Sequence, residues 1–176
     1  MLAQMKPLTI MTKPASSPPP RESYFVIRAL SASEAEACES FCAGLDWRDI
    51  YMRFGTQHFS IAHFLPDRDP PTARMSLAVI DAAEMILGIL NLVYISPSSA
   101  EIALIVRSDC KRHGMGRSLV AHAIHWATAH HVSLLVGHVN AENRAALSLA
   151  RAMHFESVKW DSFSVEVRRL LPQGRG

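Results

Sequence analysis

The stretch "AEIALIVRSDCKRHGMGRSL", residues 100–119, sets Lys111, Arg112, His113 and Arg117 around Gly114 and Gly116. An aliphatic run ends in a polar turn, and a helix pattern begins just after the glycines. A helix N-terminus carries unpaired backbone N–H groups and the positive end of the helix dipole, so it attracts phosphate. Glycines there remove Cβ atoms that would block a ligand's approach to those N–H groups. Arg112 and Arg117 can add side-chain charge, and Lys111 a further point charge. Two familiar nucleotide patterns fail. Leu119 stands where a dinucleotide fingerprint needs its third glycine, and Met115-Gly116-Arg117 is not the Gly-Lys-Ser/Thr of a P-loop. A Gly-x-Gly pair alone fits a strand-to-helix loop with solvated arginines equally well.

Other reactive side chains are sparser. His122 and His125 are three apart, and His130 and His131 adjoin. A metal would want a third ligand in defined geometry, so these read as a polar helix face, and no metal is expected. Cys110 lies in the glycine loop and reads as an ordinary thiol. With Cys38 and Cys42 it makes an odd total of three, which suggests no disulfide framework and points to a reducing cytoplasm.

The elements that must position these groups follow from periodicity. "SYFVIRAL" (23–30) reads as a first strand, and "SASEAEACESFCAGL" as a helix capped by Ser31 or Ser33. "DWRDIYMRFG" reads as a junction or short turn, and "QHFSIAHFL" as a second short helix ended by the prolines of "PDRDPP". "ARMSLAVID" and "EMILGILNLVYIS" form a hairpin turning at Ala82–Ala83, with a bend or bulge at Gly88. "AEIALIVR" is the fourth strand. A helix then runs to about His130, buried through Leu119, Val120, Ala123, Ile124 and Ala127. "SLLVGHV" is a fifth strand, "AENRAALSLARAM" a helix, and "FESVKW" with "FSVEVRRL" a closing strand pair. This order calls for a mixed α/β sheet with helices on both faces.

At 176 residues, 49% hydrophobic and 19% charged, the chain is expected to be one domain over 23–176 behind a flexible tail at 1–22. A formal net charge of +2 implies neither nucleic acid nor a membrane surface as partner. No apolar run is long enough for a spanning helix.

"KRHGMG" resembles motif A of the GNAT family of N-acetyltransferases, Gln/Arg-x-x-Gly-x-Gly/Ala, with Lys111 in the first position. "NRAALSLARAMHF" resembles that family's motif B, with His154 in place of the usual glycine. The two occur in the family's order and at its distance, and the resemblance covers roughly residues 23–170. With "YMRFG" upstream, it is most similar to the catalytic domain of bacterial protein lysine acetyltransferases. In that branch the domain is often fused to a larger region, for which this chain has no room.

The resemblance implies a GNAT fold, a mostly antiparallel sheet splayed between the fourth and fifth strands. It implies acetyl-CoA as co-substrate. The pantetheine arm would run along Leu104, Ile105 and Val106, and the diphosphate would rest on the stretch Lys111, Arg112, His113, Gly114, Met115, Gly116, Arg117 and Ser118. Asn143 would hold the arm from the other side. Only about one lysine side chain in two thousand is neutral at pH 7, so forming the amine nucleophile costs about 4–5 kcal/mol. A carboxylate can recover part of this as general base. The resemblance gives Glu101 that role; taken alone, it is a charged residue at a strand edge. His138 is the second candidate, able to relay a proton or bind substrate, or merely to be hydrogen-bonded in place. Ala150 stands where many members carry a tyrosine acid. Oxyanion support would come from the N–H of Ile105 or Val106. The expected activity is direct acetyl transfer to a primary amine, with protein lysine favoured. A small-molecule amine as acceptor and a non-catalytic acyl-CoA sensor stay open as alternatives, as do monomer and homodimer.

Overall fold

The computed structural model describes residues 25–56, 58–69, 71–159 and 161–172. The tail expected at 1–22 lies outside the described residues, as do the first two residues of the expected opening strand. Seven strands form one mixed sheet: β1 (Phe25–Ala29), β2 (Arg74–Asp81), β3 (Ile86–Ser96), β4 (Ser99–Val106), β5 (Leu134–Asn140), β6 (Glu156–Lys159) and β7 (Ser164–Leu170). Their spatial order is β1-β2-β3-β4-β5-β7-β6. Every pairing is antiparallel except β4 with β5. The helices are α1 (Ala35–Ala43), α2 (Trp47–Phe54), α3 (Met115–Ala129) and α4 (Arg144–Ala152). No helix among the described residues is long and apolar enough to cross a membrane.

The sheet is covered on both sides because its central strands are apolar on both faces. Along β2, Leu77 and Val79 join one cluster with Leu119, Val120 and Ala123 of α3. Ala78 and Ile80, pointing the other way, join Cys38 and Phe41 of α1 with Phe64. The period of two in a strand sends alternate side chains to opposite layers. Leu119 is fully buried, and burying a leucine stabilises by about 1.5–3 kcal/mol. The hairpin turns where expected, with the Asp81 carboxylate accepting from the N–H groups of Ala83 and Met85. A bulge sits at Gly88: Val79 pairs with Gly88 but Ile80 with Ile86, leaving Leu87 unmatched.

Three local expectations need correcting. Residues 47–54, read as a junction, form α2. The Asp46 carboxylate caps it by accepting from the Arg48 N–H, and Gly55 closes it at φ 68°. The stretch read as a second short helix holds only one 3-10 turn, Ile61–His63, fixed by reciprocal bonds between Ser60 and His63. Its aromatic residues pack instead of continuing a helix: Phe64 is fully buried and meets Phe41, Phe54 and Phe59 edge-on. Neither Ser31 nor Ser33 caps α1. The N-cap is Glu34, whose carboxylate reaches back to the Ser31 N–H and pairs with Arg28, while the Ser31 hydroxyl donates to Asp69.

Candidate active site

Strands β4 and β5 stay paired only through Ser99–Leu134, Ala100–Leu135 and Glu101–Val136, then part. Gly137 stands just past the fork, where a Cβ would lie 3.2 Å from both the Ile102 carbonyl oxygen and Val167 Cγ2. The gap opens into a cavity of about 850 Å³, bounded by α2, the loop after β4, the start of α3 and one side of α4.

Backbone direction decides which β4 groups face this gap. The Arg107 N–H donates to the Leu87 carbonyl, toward β3. Alternation along the strand therefore turns Ile105 and Ala103 toward β3 as well. The N–H and C=O groups of Ile102, Leu104 and Val106 turn toward β5; the Ile102 N–H still serves the Glu101–Val136 pairing, and past it no strand pairs with Leu104 or Val106. Leu104 and Val106 are thus the main-chain partners available to an amide-bearing arm, and Val106 rather than Ile105 has an N–H aimed into the gap.

The loop meets the cavity with a run of N–H groups. From Arg112 to Arg117, none has a hydrogen-bond acceptor among the described residues; the first to be satisfied is Ser118, bonded to the Gly114 carbonyl. Gly114 adopts φ 82° and Arg112 φ 68°. Left-handed residues in a loop fold successive N–H groups into a concave anion cradle. The two glycines have different reasons to be there. A Cβ on Gly114 would meet nothing within 4 Å, so its requirement is conformational. A Cβ on Gly116 would lie 3.3 Å from Leu149 Cδ2, so that glycine lets α3 approach α4. A diphosphate fits this cradle by charge and by donor count.

Side chains around the loop divide. Arg112 and Arg117 line the cavity, but His113 and Ser118 do not. Met115 lines it too, although its side chain is buried in the core. Lys111 is ion-paired to Asp49 of α2, which also accepts from the Ser108 hydroxyl. Asn143 caps α4 by accepting from the Ala146 N–H, and it lines the wall facing the loop.

At the fork, three strands place charged groups side by side. His138 Nδ1 lies 3.6 Å from Glu101 Oε1, and His138 Nε2 lies 3.4 Å from Glu166 Oε2. Glu166 is directly opposite His138 in the β5–β7 ladder, and its side chain is only 6% exposed. Arg168 Nε donates to its other oxygen. His138 lines the cavity and Glu101 stands beside it, equally exposed, so the two sequence candidates form one unit. Sequence reading missed Glu166, which only the strand register brings to His138. It also missed Asp49, and it reached Arg53 only as part of the stretch "YMRFG". Arg53 lines the cavity from α2 with its guanidinium 4.6 Å from the Phe54 ring. Burial pushes this guanidinium down to about 10, opposed by the Glu101 carboxylate, so it remains a cation at neutral pH.

Ala150 lines the cavity, and with it α4 offers no hydroxyl at that point. Two of the histidines in and after α3 serve the helix: His122 Nδ1 contacts the Ser118 carbonyl, and His130, its C-cap, stacks on Trp126 at 3.9 Å. Among the described residues, no group of three or more His, Cys, Asp or Glu side chains could hold a metal ion.

Comparisons with known proteins agree with this geometry. The GNAT domain of S. lividans PAT superposes with a TM-score of 0.76 at 16% identity, covering 84% of this chain and 90% of that one. The ribosomal-protein-S5-alanine acetyltransferase of Vibrio fischeri gives 0.69 at 13% identity, covering 86% and 96%. Spermidine N-acetyltransferase from Vibrio cholerae, solved with CoA and spermine, gives 0.64 at 20% identity, covering 83% and 95%. The model of the acetyltransferase (GNAT) family matches residues 44–155, well over half of the sequence and the whole of the fork, loop and Asn143 cap. The chain belongs to the GNAT family of N-acetyltransferases.

Proposed function

We propose that this chain transfers the acetyl group of acetyl-CoA to a primary amine, the side chain of a protein lysine, while holding both substrates at once. One observation carries the reading. The N–H-bearing edge of β4 runs from the acceptor-free cradle at Arg112–Arg117 to the His138–Glu101 pair at the fork. Such an edge places a diphosphate at one end and a proton acceptor at the other, with the thioester between them. The loop N–H groups hold the diphosphate, aided by Arg112 and Arg117. Leu104 and Val106 align the pantetheine amides from β4, and Asn143 from α4. The Val106 N–H donates to the thioester oxygen as negative charge gathers there. The Glu101–His138 pair takes the proton of the incoming ammonium, on the carboxylate or on the ring nitrogen that faces it, and Glu166 holds the other ring nitrogen and stabilises the charged imidazole. A thiol with a reference pKa near 8.5 leaves as thiolate without an acid from α4, which the alanine at 150 requires.

The likeness to the S. lividans PAT domain supports a protein acceptor. The test is incubation of purified protein with acetyl-CoA and matched panels of lysine peptides and polyamines, read by mass spectrometry. Lysine acetylation is the expected result; acetylation of polyamines alone would reject the protein acceptor. The missing hydroxyl at Ala150 favours one second reading, an acyl-CoA sensor without turnover. Coenzyme binding with no acetylated product on any amine would establish that instead.

A further inference from the structure

Arg53 carries a charge that the protein leaves unanswered. Its Nε is fully enclosed and has no hydrogen-bond partner among the described residues. No hydrogen bond or close ion pair to a described residue satisfies the rest of the guanidinium, whose contacts are the Phe54 ring and the longer-range field of Glu101. Glu101 has its own near partner in His138 at 3.6 Å. An enclosed donor without an acceptor asks for an explanation. Phe54 covers one face of the group and leaves the edge, where the N–H donors are, to the cavity that Arg53 lines.

The place of Arg53 on α2 says which ligand that edge meets. Asp49 sits against the loop through Lys111 and Ser108. Arg53 is four residues on, the same helix face displaced by about 6 Å of rise. This carries it away from the diphosphate cradle toward Glu101 and the fork. A planar guanidinium there matches a planar carboxylate, which it binds through two parallel N–H···O bonds. A polyamine would set cation against cation.

Resting on the acetyltransferase reading above, we infer that Arg53 is an acceptor-side specificity residue that binds a carboxylate carried close to the amine to be acetylated. The carboxylate can belong to a small amino acid or to an acidic neighbour of a protein lysine, and the chemistry at Arg53 is the same.

Two matched pairs test this with the intact chain and saturating acetyl-CoA. The first pair is Nα-acetyl-lysine and Nα-acetyl-lysinamide. The second is a lysine peptide with glutamate beside the lysine and the same peptide with glutamine. The expected result is a preference of about tenfold or more in kcat/KM for the carboxylate member of at least one pair. The pair that shows it identifies the source. Arg53→Met should bring the preference close to unity, and Arg53→Lys should keep part of it. Equal rates within both pairs, or a preference that survives Arg53→Met, overturn the inference and leave acetyl transfer standing. If Arg53→Met fails to fold, the wild-type rates and Arg53→Lys decide. If no amine is turned over, the acetyl-transfer reading falls and the same pairs are titrated calorimetrically onto CoA-loaded protein. Carboxylate-dependent binding weakened by Arg53→Lys sustains the role of Arg53; its absence overturns it.

Discussion

Lys111, the most basic-looking feature of the phosphate loop, is paired with Asp49 of α2, a carboxylate side chain only 11% exposed. The loop lysine therefore ties a helix to the loop, and its charge is largely neutralised before any ligand arrives. In the proposed mode of coenzyme binding, the attraction for a diphosphate falls to the main-chain N–H groups and to the arginines at 112 and 117.

This division predicts how the two charges behave when altered. Lys111→Ala and Asp49→Asn should each raise the KM for acetyl-CoA only modestly, roughly less than fivefold, and should not add in the double variant because they share one interaction. Arg117→Ala should weaken coenzyme binding more than Lys111→Ala does. Steady-state kinetics and calorimetric titration of CoA onto wild type and the four variants check both statements. A Lys111→Ala loss larger than that of Arg117→Ala would return the lysine to the phosphate site.

The two glycines should also part company. Alanine at Gly114 must hold φ near 82° in the left-handed region, at a cost of about 1–2 kcal/mol, although its methyl has free space. Gly114→Ala is expected to lower the melting temperature and to weaken CoA binding, since relaxing the strain misaims the N–H cradle. Gly116 is helical, and a methyl there meets the end of Leu149 at 3.3 Å and that of Leu104 at an ordinary 3.8 Å. Gly116→Ala should be close to neutral in stability, whereas the larger Gly116→Val should push α4 away and lower the melting temperature. Thermal melts and CoA titrations of the three variants separate the conformational requirement from the packing one.

The fork supplies a ranking of chemical variants. His138 lines the cavity and Glu101 lies 3.6 Å from it. His138→Ala is expected to lower kcat by about 10²-fold or more, the usual range for loss of a positioned base. Glu101→Gln and Glu166→Gln should lower kcat less, because each leaves one carboxylate beside the imidazole. CoA affinity should stay unchanged in all three. Steady-state kinetics with titration calorimetry would show this. Full activity in His138→Ala with a large loss in Glu101→Gln would make Glu101 the direct base.

The parts of this site legible in the sequence are those written in local pattern. The aliphatic run of β4, the glycine loop and the Asn143 motif are contiguous, so spacing and resemblance reach them. The unread parts depend on register and on surfaces that face a cavity. Glu166 meets His138 only because β7 pairs antiparallel with β5, and Asp49 meets Lys111 across 62 residues of chain. Helix α2 has only eight residues and none of them is buried, since its inner side lines the cavity. Trp47, Ile50, Tyr51 and Phe54 do fall at helical spacing, but over only eight residues that stripe is too short to set the helix apart from a junction. The serine caps expected for α1 failed for a related reason: Glu34 has a better partner in Arg28, and that salt bridge sets where the helix begins.

His154, the departure from motif B, provides a last test. It adopts φ 59° immediately after α4, with its N–H bonded to the Arg151 carbonyl and the next N–H, of Phe155, bonded to that of Ala150. His131 repeats the arrangement after α3 at φ 61°, its N–H on the Thr128 carbonyl and that of Val132 on Ala127. Both are Schellman endings with histidine at the left-handed position that glycine adopts without penalty. Relief of the left-handed strain, about 1–2 kcal/mol per residue, is partly offset by the greater freedom glycine gives the unfolded chain. A net gain of about 1 kcal/mol corresponds to roughly 2–4 °C in a chain of this size. His154→Gly and His131→Gly should therefore each raise the melting temperature by a few degrees and, being at the ends of different helices, should add. Neither residue lines the cavity, so CoA binding should not change. A fall in melting temperature would show that the imidazoles make stabilising contacts outweighing their backbone strain.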